Sequence, residues 1–147
     1  ILLKYKGNEP LASSLAEQLY RHFYPQGILT GIDFILPVPL HPKKERARGF
    51  NQAELIARRL AELTGCPLGR GILIKTRNTP AQVSLEARER ELNLRGALAV
   101  RKKELVQQRV LMLVDDVYTT GSTIKECAFV LKKAGAREVR ALTLARA

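Results

Sequence analysis

Two adjacent aspartates, Asp115 and Asp116, close the apolar run 110–114, and a hydroxyl-rich turn follows them within the stretch VLMLVDDVYTTGST. A turn that enters a helix presents unpaired backbone N–H groups and the positive end of the helix dipole. Thr119, Thr120, Ser122 and Thr123 add hydroxyl donors there, and Gly121 permits close backbone approach. The turn therefore reads as a phosphate cradle. It is not a P-loop, because GxxxxGK[ST] occurs nowhere in the chain. A Walker B strand also ends in acids but needs that loop as its partner. The bland alternative, two acids and a capping turn with no ligand, requires both acids to be exposed, because burying them unpartnered is costly. A ribose 5-phosphate satisfies the whole strip: its 2- and 3-hydroxyls donate to the carboxylates while the turn holds its phosphate.

Chemistry of this kind needs a frame, and the apolar pattern supplies one. Asn8 and Glu9 offer helix-start chemistry, Leu11, Leu15, Leu19 and Phe23 share one helical face, and Pro25 with Gly27 ends the segment. Residues 33–40 form an apolar run of strand length whose prolines turn it early into a loop. A basic loop is expected at 41–49, carrying Lys43, Lys44, Arg46 and Arg48, with His41 structural or solvent-facing. A helix is expected over 51–64, with Ala53, Ile56, Leu60 and Leu63 on one side and Gly65 and Pro67 as its stop. Short strands are expected at 1–6, 71–75 and 97–100. Residues 77–96 are polar and too long for a structureless connection, so they read as a functional flap or as partly helical over 85–94. The run 109–114 is a strand buried on both faces. Ile124, Cys127, Ala128, Leu131 and Ala134 line the next helix, Gly135 closes it, and 139–145 is a final strand. Alternating strands and helices imply one α/β domain over 1–147, a parallel sheet flanked by helices and joined by right-handed crossovers. Ligands in such sheets collect at the carboxyl ends of the strands, where the two acids stand.

Composition narrows the partners. A formal charge of +11 gives standing attraction for phosphates, whether of a nucleotide, pyrophosphate or nucleic acid. The apolar runs are far too short to cross a bilayer. The two cysteines, Cys66 and Cys127, lie far apart, which fits unpaired thiols in a reducing cytoplasm better than a disulfide, and two dispersed histidines offer no structural zinc site.

The stretch VLMLVDDVYTTGST resembles the signature of type I phosphoribosyltransferases. PVPLHPKKERARGFNQAE (37–54) and RNTPAQVSLEARERELNLRGAL (77–98) are similar to the corresponding stretches of the ComF family, competence-protein-like phosphoribosyltransferases. In that family's spaced pattern Arg77, Thr79, Gln82, Leu85, Arg90, Asn93 and Gly96 all find their match, so the resemblance covers essentially the whole chain. It implies a Rossmann-like type I phosphoribosyltransferase domain in which Asp115 and Asp116 are catalytic and hold the ribose hydroxyls of phosphoribosyl pyrophosphate. Thr119, Thr120, Gly121, Ser122 and Thr123 would bind its 5-phosphate, and Lys43, Lys44, Arg46 and Arg48 would lie near the pyrophosphate. Arg77, Thr79 and Gln82 would belong to a flexible lid over 77–96. Mg2+ would be held mainly by ligand oxygens and waters, with Asp115 and Asp116 reaching it indirectly.

Two departures from the family matter. Its members commonly begin with a Cys-rich zinc-binding segment, for which these residues hold no candidate; the expectation is a member lacking that segment or one from which it was removed. Purine-salvage members usually carry an acid where Thr119 stands, which argues against a purine base as acceptor. The expected function is therefore phosphoribosyl transfer, a pentosyl-class glycosyltransferase reaction in cytoplasmic nucleotide metabolism, to an unidentified nucleophile with release of pyrophosphate. The alternative is an accessory protein of DNA uptake in natural competence. It would bind single-stranded DNA through its basic surface, alongside competence-machinery proteins, and use the site for ligand binding without turnover. Setting Phe129 aside as a core residue leaves seven of the eight aromatics as candidates for base stacking, none within the basic loop.

Overall fold

The computed structural model describes residues 8–79, 86–118 and 120–146; the expected strand at 1–6 lies outside them. Three parallel strands form the central sheet: β1 (Phe34–Pro37), β4 (Val110–Tyr118) and β5 (Glu138–Arg146), in the order β1-β4-β5. A separate antiparallel pair joins β2 (Leu73–Lys75) to β3 (Leu98–Val100). The helices are α1 (Glu9–Phe23), α2 (Pro42–Arg48), α3 (Gln52–Thr64), α4 (Ala87–Leu94) and α5 (Ser122–Lys133).

β4 is the central strand because its first five residues are apolar without interruption, so neither face can meet water. Leu111 and Leu113 point into a core formed with α5, β2 and β3, while Met112 and Val114 point into one formed with α1 and α3. Val110 through Val114 are each 1% exposed or less. The side chain of Asp33 fixes the start of the ladder, its Oδ2 accepting the Val110 N–H at 2.8 Å. The outer edge of β1 is closed by the following segment: Ile35 N–H donates to Pro67 O and Gly69 N–H to Ile35 O. At Gly69 any side chain would strike Leu36 and Ile72, so the segment lies close against the strand.

Several elements differ from the pattern read in the sequence. In α1 the fully buried residues are Ala12 and Ala16, whereas Leu11, Leu15, Leu19 and Phe23 are only partly buried. The small methyls let α1 pack closely on α3 through Ile56, Ala57 and Leu60, and the larger side chains flank that contact. The basic stretch 41–49 is not a loop. His41 Nδ1 accepts the Lys43 N–H at 3.2 Å, Pro42 starts the first turn, and Gly49 at φ +82° ends α2. β4 also continues through the acids to Tyr118 instead of stopping before them. In α5, Cys127 and Leu131 face inward, which turns Phe129 outward at 60% exposure instead of into the core.

One buried side chain ties the far ends of these elements together. Asn51, only 8% exposed, caps α3 by accepting the Ala53 N–H at 3.1 Å. Its Nδ2 donates to Val38 O at 3.2 Å, just beyond the end of β1. Asn51→Ala removes a cap and strands a buried carbonyl, and should lower unfolding free energy by about 2 kcal/mol in a urea titration. Asn51→Asp keeps the cap acceptor and should recover part of that loss.

Candidate functional site

β1 pairs with β4 only as far as Pro37↔Val114, one residue short of the acids, whereas β5 continues alongside through Asp115↔Thr143, Val117↔Ala145 and Tyr118↔Arg146. Asp115 and Asp116 are therefore held on one flank and open on the other. Both are partly buried. Asp115 Oδ1 accepts the Asp116 N–H at 2.8 Å, and Asp116 Oδ1 accepts the Val117 N–H at 2.9 Å. Burial, together with the hydrogen bond and charge of Asp116, holds the Asp115 carboxyl well above the usual carboxylate range. Two adjacent negative charges are thereby disfavoured at this pair.

The turn after the acids narrows into the N-terminus of α5. Gly121 takes φ +80° and accepts the Lys125 N–H through its carbonyl at 2.8 Å. A β-carbon at Gly121 would overlap the hydroxyl of Tyr118, so glycine is required both by the backbone and by this contact. Thr120 and Ser122 share a hydrogen bond between their hydroxyls at 2.7 Å, which sets both oxygens on the same side of the turn. Thr123 occupies the first turn of α5. Thr119 lies outside the described residues.

The expected basic group divides in two. Lys43, Arg46 and Arg48 are exposed on α2. Lys44 turns inward and donates from Nζ to Thr79 O at 2.6 Å. Beside it stands a residue the sequence reading missed, Lys75 at the end of β2, which is 9% exposed. Burial, followed by the charge of Lys44, lowers the Lys75 ammonium to about 8. Burial and Arg48 likewise lower Lys44. Both Lys75 and Asp115 act on the buried thiol of Cys127, whose ionisation is pushed up by burial and by Asp115 while Lys75 acts in the opposite sense. Period-two reading of ILIK would have found Lys75, since Leu73 and Lys75 share the buried face.

The segment expected as a lid is hydrogen-bonded where it begins and ends. Thr76 N–H donates to Ala97 O at 2.7 Å where β2 meets β3, and Arg77 Nη2 donates to the carbonyls of Asn93 and Arg95. Thr79 is 4% exposed and its hydroxyl has no partner among the described residues. Leu85 and Gln82 lie outside the described residues. The helical expectation for 85–94 corresponds to α4, which carries a capping box between Glu86 and Glu89 and packs on α5.

The chain's sequence and fold have known counterparts. The model of the phosphoribosyl transferase domain matches residues 45–147. The chain belongs to that family. Within it, the chain is 42% identical over 115 residues to Competence protein F of Haemophilus influenzae, a match covering 77% of this chain and 50% of that protein. It is 36% identical over 147 residues to DNA utilization protein YhgH of Escherichia coli K12, covering 98% of this chain and 64% of that protein. The chain is thus a ComF-type phosphoribosyltransferase-like protein that spans between half and two thirds of the length of these curated relatives. Its fold is also similar to the structure of the allosteric regulatory enzyme of purine biosynthesis, with a TM-score of 0.61, 23% identity, and 90% of this chain but 25% of that one covered. The purine phosphoribosyltransferase of Pyrococcus horikoshii Ot3 gives a TM-score of 0.52 at 16% identity, covering 90% of this chain and 70% of that one. No helix among the described residues is long and apolar enough to cross a membrane. Both cysteines are free thiols.

The raised Asp115 carboxyl couples stability to pH. An acid whose folded value lies above its unfolded one binds its proton more tightly in the folded state, so this group's contribution to stability falls as pH rises from about 4 through the raised value. Asp115→Asn removes that loss. The variant should melt close to wild type near pH 4 and higher than wild type at pH 8, by roughly 3–6 °C; melting curves across that range test it.

Proposed function

We propose that the domain binds phosphoribosyl pyrophosphate with Mg2+ and transfers its phosphoribosyl group to an external nucleophile, releasing pyrophosphate. The observation that carries this reading is geometric: the acid pair opens on one flank directly before a helix-entering hydroxyl turn, and Asp115 and Lys75 both lie close enough to act on the Cys127 thiol. Burial opposes ionisation of Asp115 and protonation of Lys75, and the two are not joined by a hydrogen bond among the described residues. Phosphoribosyl pyrophosphate supplies what each lacks. Its vicinal hydroxyls donate to Asp115 and Asp116, its 5-phosphate accepts from the turn at 120–123, and its pyrophosphate meets Lys44 and Lys75.

The donor set also fits the metal. Two partly buried carboxylates are hard oxygen ligands, but no group of three or more His, Cys, Asp or Glu among the described residues forms a cage. Mg2+ would therefore be held mostly by ligand oxygens and water, with Asp115 and Asp116 at its outer side. When bound it would neutralise charge developing on the pyrophosphate. The chain's own part is to fix the ribose by its hydroxyls and to face the leaving oxygens with cations, a preorganised electrostatic effect that grows where water is excluded. Breaking the bond to pyrophosphate gives the sugar oxocarbenium character, as in glycoside chemistry.

Calorimetry with phosphoribosyl pyrophosphate and Mg2+ should give saturable binding that Asp115→Asn/Asp116→Asn abolishes; equal binding by the double variant would refute the assignment. Affinity should rise with pH as Asp115 ionises and fall as Lys75 loses its proton around pH 8. Lys75→Met should weaken binding about tenfold, the scale of one charge-assisted hydrogen bond, and flatten the alkaline limb. Pyrophosphate release measured against a panel of bases, amines and nucleotides would identify the acceptor.

The DNA-handling reading is favoured by one separate observation. Lys43, Arg46 and Arg48 are exposed on α2, while Lys44 alone turns inward. Binding of single-stranded DNA through those three should weaken steeply between 50 and about 200 mM salt and should survive the double aspartate change. Gel shifts that ignore salt would exclude it.

A further inference from the structure

The two edges of the central sheet are treated differently. The β1 edge is closed by the backbone of residues 67–69. The β5 edge, nine residues long, has no strand against it among the described residues. Natural proteins blunt such edges with prolines, bulges, interior charges or very short strands. β5 has none of these through its middle, which reads Ala141, Leu142, Thr143, Leu144, Ala145. Ala141 and Ala145 are exposed, while Leu142 is 5% exposed and anchors the strand in the core beside α1 and α3. Charges stand only toward the ends, Glu138 and Arg140 at one and Arg146 at the other.

We propose that this edge pairs with β5 of a second copy of the chain, antiparallel and centred on Leu142, to form a continuous six-stranded sheet across a two-fold axis. That register is the one that uses all nine residues of both strands. It sets Glu138 of each copy opposite Arg146 of the other, Val139 opposite Ala145, Arg140 opposite Leu144, and Ala141 opposite Thr143. Opposite residues in an antiparallel pair share a face of the sheet, and both members of each pair here have the same parity along β5, as required. The Glu138–Arg146 pair arises twice by symmetry, so the strand's charge pattern is complementary to itself in this register. Shifting the register by two residues shortens the overlap and breaks both pairs. Glu138 already pairs with Arg140 on its own strand at 2.7 Å, and in the two-fold assembly it would lie between two guanidinium groups.

Sedimentation of the full chain at tens of micromolar, in low salt, reads the proposal directly. The expected mass is twice 16.4 kDa. Glu138→Arg and Arg146→Glu, made singly, place like charges opposite one another twice per dimer and should each shift the equilibrium toward monomer by tenfold or more. Combined, they restore opposite charges in the same register and should restore the dimer. A wild type that stays monomeric, single variants that dimerise as well as the wild type, or a double variant no better than the singles would each overturn it. Circular dichroism of the variants separates a lost interface from a lost fold.

Discussion

Val114 is the residue on which the geometry of this chain turns. Its backbone is the last of β4 to be paired on both sides, with Pro37 of β1 and Leu142 of β5. Its carbonyl then accepts the Val38 N–H at 2.9 Å as the β1 chain departs toward α2. One position later β4 has a neighbour on the β5 side alone, and the strand's residues change from apolar to acidic. The break in pairing and the change in chemistry coincide, so the carboxylates emerge where the sheet opens. Asn51 sets the opposite wall by gripping Val38 from the start of α3. A slip of one residue in the β1–β4 register would exchange the faces of Met112 and Leu113 and move that wall away from the acids.

The site so formed is electrostatically incomplete. Asp115 and Lys75 both sit in surroundings that oppose their charged forms, and both act on a thiol that stays protonated. Direct pairing would have satisfied both groups and closed the space between them. Cys127, small and fully buried, offers neither of them a competing charge. On the proposed reading a phosphoribosyl ligand would relieve both groups and so add to the stability of the domain.

Sequence reading recovered what depends on local pattern. The uninterrupted run 110–114 marked a doubly buried strand, and the acid pair marked the point where that strand outruns β1. It failed where a short segment or a close contact decided the outcome. α2 has seven residues and no apolar stripe, so only the His41 cap and the Gly49 terminus make it a helix. The leucines of α1 were plausible core residues until α3 approached closely enough to prefer Ala12 and Ala16. Lys75 was hidden because its strand is three residues long, too short for an alternation to stand out, and because lysine is seldom buried. Phe129 was misplaced by its apolar character alone, although the spacing of Cys127 and Leu131 already puts it on the opposite side of the helix.

The closed edge at β1 carries a consequence for how this molecule can associate. Residues 67–69 occupy the hydrogen-bonding positions of Ile35, and at Gly69 a β-carbon would meet Leu36 and Ile72, so another chain cannot displace that segment without disturbing the core. A sheet with two open edges is a propagating unit, able to add copies at both ends and grow into a fibre. With one edge sealed from within, strand addition is self-terminating: after a single docking event no template remains. The tightly packed glycine at the rim is in this sense a stop signal for polymerisation, and its effect would be felt in solubility long before it was noticed in the chemistry of the site.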